Sequence, residues 1–218
     1  MSFDLKNQFI IKNEIEKLLN YIFYGVVNTG FAQRVEEQRI SQEIETYSKT
    51  LIIKEFKSNK KEFIYLKEIK ENNGSTKAPY ELLLNFEIEN IVYDVFVDFK
   101  PINILKKSTA PYMGSINKYI SRINDSKFYD VFLIVRYESK VDTLPVLKSI
   151  DIDFVKDITN YSLYNNWQLQ LTIHTAQIKY GRNPVEFKKD LINLLENMKT
   201  KTVKNIVNKC DKLLESLN

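Results

Sequence analysis

Cysteine and histidine are nearly missing from this 218-residue chain, which has one of each, Cys210 and His174. A lone cysteine closes no intramolecular disulfide and fits a reducing cytoplasm. It also excludes a cysteine-built zinc site, and one histidine excludes a histidine cluster. Any metal must therefore be a hard cation on carboxylates, which means Mg²⁺, with Mn²⁺ able to substitute. No stretch of about 18 apolar residues is present, and no N-terminal signal pattern. The expectation is a soluble, cytoplasmic protein with no membrane partner. Internal repeats are lacking too, and the Lys/Asn/Ile bias looks like base composition rather than low complexity.

What remains is an ordinary globular composition, 44% hydrophobic, with a net charge of +4. That length suits one domain, residues 1–218, with an adequate core. The modest positive charge is consistent with a polyanionic partner but proves none. Residues 1–75 look mainly helical. A helix is expected over 4–24, broken at Gly25 and Asn28-Thr29-Gly30, and a second over about 33–56. The second carries Glu43 and Glu45, best taken as part of a solvated face although either could point at a metal site. Lys60 to Glu71 suits a strand and charged loop, before a loop signal at Asn72-Asn73-Gly74-Ser75.

The stretch with most chemistry runs from Pro79 to Pro111. Glu81 to Ile88 and Ile91 to Lys100 flank Glu89-Asn90, a plausible two-residue hairpin turn. With that turn, Ile88 faces Ile91 and Glu81 falls directly opposite Asp98. Opposed Cβ atoms lie about 5 Å apart, so the two carboxylates could share a divalent cation. Lys100 projects from the same face as Asp98. The other face, with Leu82, Leu84, Phe86 and Ile88 against Ile91, Tyr93, Val95 and Val97, is wholly apolar. Two acids and a lysine on one side of a strand pair suggest a metal-dependent phosphodiesterase. An Asp-x-Lys at a strand end is more commonly solvated charge, and a one-residue slip would turn Glu81 inward. Asp94 and Glu87 are the fallback carboxylates.

Following Lys100 come Asn103-Ile104, Lys106 and Ala110-Pro111, a helical segment over 113–120, the turn Lys127 to Asp130 and the apolar strand Tyr129 to Tyr137. In this order and spacing the chain resembles type II restriction endonucleases of the PD-(D/E)XK superfamily. It is most similar to the HincII group, and more distantly to EcoRV-type enzymes. Leu163 to Gln170 is similar too, so the likeness covers about residues 79–195. It implies an α/β (α+β) fold with a central mixed β-sheet flanked by helices. It also implies Mg²⁺ held by Glu81 and Asp98, Lys100 beside the attacking water and the scissile phosphate, and blunt cutting. The partners implied are double-stranded DNA, a second copy in a homodimer and a cognate DNA methyltransferase. The family usually has Asp where Glu81 stands, Asn where Tyr112 stands and Gln where Thr109 stands. A different target sequence is the consequence expected.

Segment 79–138 is then the catalytic core, 160–182 a DNA-recognition strand and loop, and 183–218 the C-terminal helices. Lys106, Lys107, Ser108 and Thr109 suit a phosphate clamp, or a plain basic loop, and Ala110, Tyr112, Asn117 and Lys118 are further candidates for DNA contact. The helix after Pro111 should bury Ile116, Tyr119, Ile120 and Ile123 and offer Asn117, Lys118 and Arg122 outward. Asn166 to His174 alternates cleanly, placing Gln168, Gln170, Thr172 and His174 on a polar face that could read base edges. Gln177, Lys179, Tyr180 and Arg182 around Gly181 look like a recognition loop. Asn183-Pro184-Val185-Glu186 is a good helix start. The alternatives are a repair or junction-resolving nuclease, and a non-catalytic DNA-binding protein on the same scaffold.

Overall fold

The computed structural model describes residues 5–29, 40–72, 80–105, 112–120, 122–123, 129–138, 146–164, 168–172 and 177–215. In chain order the elements are helices α1 (Leu5–Thr29) and α2 (Ile40–Ser58), then strands β1 (Leu66–Glu71), β2 (Leu82–Ile88), β3 (Ile91–Asn103) and β4 (Tyr112–Ser115). A short helix α3 (Ile116–Ile120) leads to strands β5 (Tyr129–Glu138), β6 (Val146–Phe154), β7 (Tyr161–Tyr164) and β8 (Gln168–Leu171), and helix α4 (Pro184–Glu215) follows. The central sheet is mixed, with order β1-β2-β3-β5-β6, and β5 runs parallel to β3. A second sheet has the order β4-β8-β7.

Glu89 and Asn90 form the turn between β2 and β3. Both have positive φ, 51° and 61°, the two left-handed residues of a type I′ turn, whose twist matches that of the strands. The register runs from Ile88–Ile91 to Leu82–Val97, as the sequence implied. On the apolar face of this ladder Leu82, Leu84, Phe86, Ile88, Tyr93, Val95 and Val97 are all buried, and Ile91, at the hairpin tip, is the one exposed member. They pack beneath α1 and α2 against Ile11, Ile15, Leu18, Ile44, Ile52 and Phe56. Burying each such side chain is worth roughly 1.5–3 kcal/mol, so a register slip would forfeit the whole apolar face.

The opposite face of the central sheet carries Ile102, Phe132 and Ile134, which meet Met113, Ile116, Tyr119, Leu169 and Phe187 in a second core. Strand β5 is therefore covered on both sides, which explains its nearly unbroken apolar run. The α+β architecture and mixed sheet match the sequence expectation. Several local details differ. Helix α1 continues through Gly25 to Thr29; one glycine inside a long helix costs only about 1 kcal/mol. The segment expected to be helical from Met113 begins instead as strand β4, with an irregularity between Tyr112 and Gly114. Gly114, at that irregularity, has φ +117°, a setting that favours glycine. Strand β6 was not expected at all, although Ile150-Asp151-Ile152-Asp153-Phe154 alternates cleanly.

Candidate functional site

Glu81 lies one residue before β2 and is held by its own backbone. Its N–H donates to Val97 O at 3.0 Å, and its carbonyl accepts from Asn72 N at 3.0 Å. The pleat of the hairpin thereby extends one more pair and brings Glu81 to Asp98. Glu81 Oε2 accepts from the backbone N–H of Phe99 at 3.1 Å, and the Glu81 carboxyl hydrogen-bonds that of Asp98. Burial, and then the negative Asp98, push Glu81 from its ordinary 4.5 to about 8, with Glu45 on α2 adding to the repulsion and Lys100 opposing it. Glu81 is thereby biased toward its protonated form beside an Asp98 biased toward its ionised form.

Asp98 is 7% exposed. Its Oδ2 is 2.7 Å from Lys100 Nζ and 3.5 Å from Lys118 Nζ. Burial alone would raise the Asp98 carboxyl, but the two ammonium groups and the Glu81 hydrogen bond outweigh it and hold Asp98 below its ordinary value. Lys100 Nζ also sits over the Phe132 ring, 5.3 Å from the centroid. Two carboxyl groups and two ammonium groups are thus gathered at one place.

A second charged layer adjoins it. Asp130 is 3% exposed and lies across from Phe96 in the β3–β5 register. One of its oxygens pairs with Arg122, and Oδ2 has no hydrogen-bond partner. Burial raises the Asp130 carboxyl, with Arg122 and Lys118 opposing that shift. The Arg122 guanidinium lies 3.4 Å from the centroid of Phe96, whose ring Tyr80 meets edge-on at 4.6 Å. Asp130 had no assigned role in the sequence. Its signal was a lone acid inside an apolar strand. Lys118 and Arg122, expected to face outward, turn inward because these buried acids attract them. Ile120, expected to be buried, is 44% exposed.

The other sequence candidates are placed as follows. Glu87 and Asp94 lie toward the hairpin tip, and Asp94 accepts from Asn85. Four residues of strand, about 13 Å, separate Asp94 from Asp98, so neither fallback acid joins the cluster. Among the described residues no three His, Cys, Asp or Glu side chains lie close enough to hold a metal. Glu81 and Asp98 are thus a two-carboxylate set. Lys106, Lys107, Ser108, Thr109, Ala110 and His174 lie outside the described residues. Tyr112 and Asn117 are exposed on β4 and α3. Gln177, Lys179 and Tyr180 are exposed on an arm strapped along residues 157–160 by Thr159 N to Gln177 O (2.9 Å) and Lys179 N to Asp157 O (2.8 Å).

Arg182 departs from its expected place in a recognition loop. It is 3% exposed and donates to Ile158 O at 2.8 Å, to Asp190 and, through its backbone N–H, to Asp157 Oδ1 at 3.0 Å. A guanidinium with these donors engaged inside the protein ties α4 to the segment before β7. It presents nothing to DNA. Gln170, placed on the expected polar face, is likewise buried.

A mixed sheet flanked by helices, with this acid–lysine cluster at the edge of its central hairpin, places the protein among enzymes of the restriction-endonuclease-like fold. The chain belongs to the SwaI-like restriction endonuclease family, whose model, described as SwaI restriction endonuclease, matches residues 2–217. That family is one of type II restriction endonucleases, enzymes that act on DNA. A curated relative, the probable serine/threonine-protein kinase irlA of Dictyostelium discoideum, is 33% identical over 92 residues. That match spans 41% of this chain and only 6% of the kinase, so it transfers no activity. No helix among the described residues is long and apolar enough to cross a membrane.

Proposed function

We propose that the enzyme hydrolyses DNA phosphodiester bonds at a short (pseudo)palindromic site, with Mg²⁺ held by Glu81 and Asp98 and Lys100 at the scissile phosphate. The observation that carries this reading is the convergence of Glu81, Asp98 and Lys100 at adjacent strand positions. The donor set suits the ion. Mg²⁺ prefers carboxylate oxygen and commonly takes one or two protein carboxylates, leaving other positions to water and phosphate. A dication would also offset the burial and the Asp98 charge that together push Glu81 up to about 8. Held by Glu81 and Asp98, Mg²⁺ would supply Lewis-acid charge to the phosphate and to the attacking water.

The chain's own residues do the rest. Asp98 is held toward its ionised, ligating form by the cations around it. Lys100, braced by Asp98 and the Phe132 ring, offers a fixed positive charge where negative charge builds on the phosphorus oxygens. In a partly desolvated site such a preset charge acts more strongly than in water. Glu81-(x)16-Asp98-x-Lys100 is a variant of the PD-(D/E)XK pattern, with Glu in the first acidic place. The kinship with the HincII group, and with it blunt ends, rests on the residues around Asn103-Ile104 and Ala110-Pro111. Cutting both strands of a palindrome calls for two-fold symmetry and hence a homodimer of the 1–218 unit. A cytoplasmic setting and a companion methyltransferase that protects the host genome go with that role.

The test is incubation of plasmid with purified enzyme and Mg²⁺, beside a chelator control and Asp98→Ala. Discrete fragments with flush ends, dependent on Mg²⁺ and on Asp98, are the expected result. Equal cleavage by Asp98→Ala, or cleavage in chelator, would overturn the assignment.

A further inference from the structure

The resting site contains one cation more than the proposed chemistry uses. Lys118 reaches from α3 to Asp98 Oδ2 at 3.5 Å, and its side chain is only 10% exposed. It shares that oxygen with Lys100 at 2.7 Å. Two ammonium groups on one carboxylate oxygen supply together the double positive charge that a divalent ion would bring. They also crowd the Oδ2 side of the carboxylate with like charge that an incoming cation would meet. Lys100 is tied to β3 two residues from Asp98, whereas Lys118 stands on a separate short helix and makes the longer contact. Of the two, Lys118 is the one that can leave.

A second acid marks where it can go. Asp130 lies near enough to act electrostatically on both Asp98 and Lys118. It is 3% exposed, and its Oδ2 has no hydrogen-bond partner, because Arg122 engages only the other oxygen. An unmatched buried carboxylate oxygen is costly unless some state of the protein satisfies it.

Building on the metal-site reading above, we propose that Lys118 is a resident counter-ion that competes with the divalent metal for Asp98, and that metal entry moves its ammonium off Asp98 toward Asp130. Lys118 is thus a positioning residue that sets the metal affinity of the DNA-free enzyme. It keeps the buried acid neutralised until metal arrives and makes loading an exchange of cations instead of a simple capture.

The test is Mn²⁺ titration of the DNA-free enzyme, read by isothermal calorimetry or by the loss of the free Mn²⁺ paramagnetic resonance signal. Lys118→Met keeps the buried stem and removes the charge; removing one positive charge a few ångströms from the ion should tighten Mn²⁺ binding by about five- to fiftyfold. Lys118→Arg, which keeps the charge, should stay within about twofold of wild type. Thermal melting confirms that each variant is folded. Unchanged or weaker Mn²⁺ binding by folded Lys118→Met overturns the proposal. Asp98→Asn separates this outcome from a failure of the metal site. If it abolishes Mn²⁺ binding while Lys118→Met has no effect, only the role of Lys118 is refuted. If Asp98→Asn binds Mn²⁺ like wild type, the metal site itself is refuted and this inference with it.

Discussion

Replacing Lys156 with methionine should cost roughly 3–5 kcal/mol of stability, because it strands a buried charge. Lys156 is 1% exposed and directs its three protons at Gln8 Oε1 (2.9 Å), Asp157 Oδ1 (2.8 Å) and Arg182 O (2.7 Å). Burial pulls the amine below the ordinary lysine range, against the pull of Asp157. Methionine keeps most of the volume, so the loss reports charge more than cavity. Asp157, also 1% exposed, would keep the Arg182 and Gln8 amides but lose its cation. In a chain of this size about 1 kcal/mol moves Tm by 2–4 °C, so a fall of roughly 6–20 °C is expected. Differential scanning calorimetry measures it, with urea unfolding as a second probe. Asp157→Asn alone should also destabilise, and the double variant should lose less than the sum of the two. A single-variant loss under about 1 kcal/mol, or strict additivity, would refute the reasoning. The same cluster anchors the arm bearing Gln177, Lys179 and Tyr180 through Lys179 N to Asp157 O.

Three further outcomes are expected. Because the native Glu81 carboxyl titrates near 8, the folded metal-free protein keeps a proton that the unfolded chain releases above its ordinary 4.5. Stability should therefore fall as pH rises between those values. Glu81→Gln should flatten that slope, and urea midpoints from pH 5 to 9 that are equally steep in both proteins would contradict it. Arg122→Leu should cost about 3–5 kcal/mol, since it leaves Asp130 buried without its cation; urea unfolding should also show Arg122→Leu with Asp130→Leu recovering part of the loss. Asn90→Ala should destabilise by about 1 kcal/mol and Glu89→Asn should stabilise by about 0.5 kcal/mol, because both positions have positive φ; thermal melts of the two variants, moving in opposite directions, check this.

The hairpin was legible because its information is local. Glu89-Asn90 specifies the turn, the period-two alternation specifies the face, and together they bring Glu81 to Asp98. The start of α4 was legible for the same reason: Asn183 Oδ1 accepts from Glu186 N at 2.9 Å, the cap that Asn-Pro-x-Glu announces. What could not be read depends on contacts distant in sequence. Arg182 looks like a recognition residue beside Gly181, and its bonds to Asp157, Ile158 O and Asp190 make it structural. Lys118 looks like one more exposed lysine until the register of β3 and β5 sets Asp98 and Asp130 beneath it. Strand β4 hides in Tyr112-Met113-Gly114-Ser115 because only pairing with β8 makes it extended.

The most direct measurement is single-turnover cleavage of a duplex carrying the mapped target, at saturating Mg²⁺, for wild type, Asp98→Ala and Lys100→Met. Loss of the Lys100 charge should slow cleavage by about 10²–10³-fold, loss of Asp98 should slow it at least as much, and both variants should still bind the duplex. If either variant cleaves at the wild-type rate, Glu81, Asp98 and Lys100 are not the site of hydrolysis.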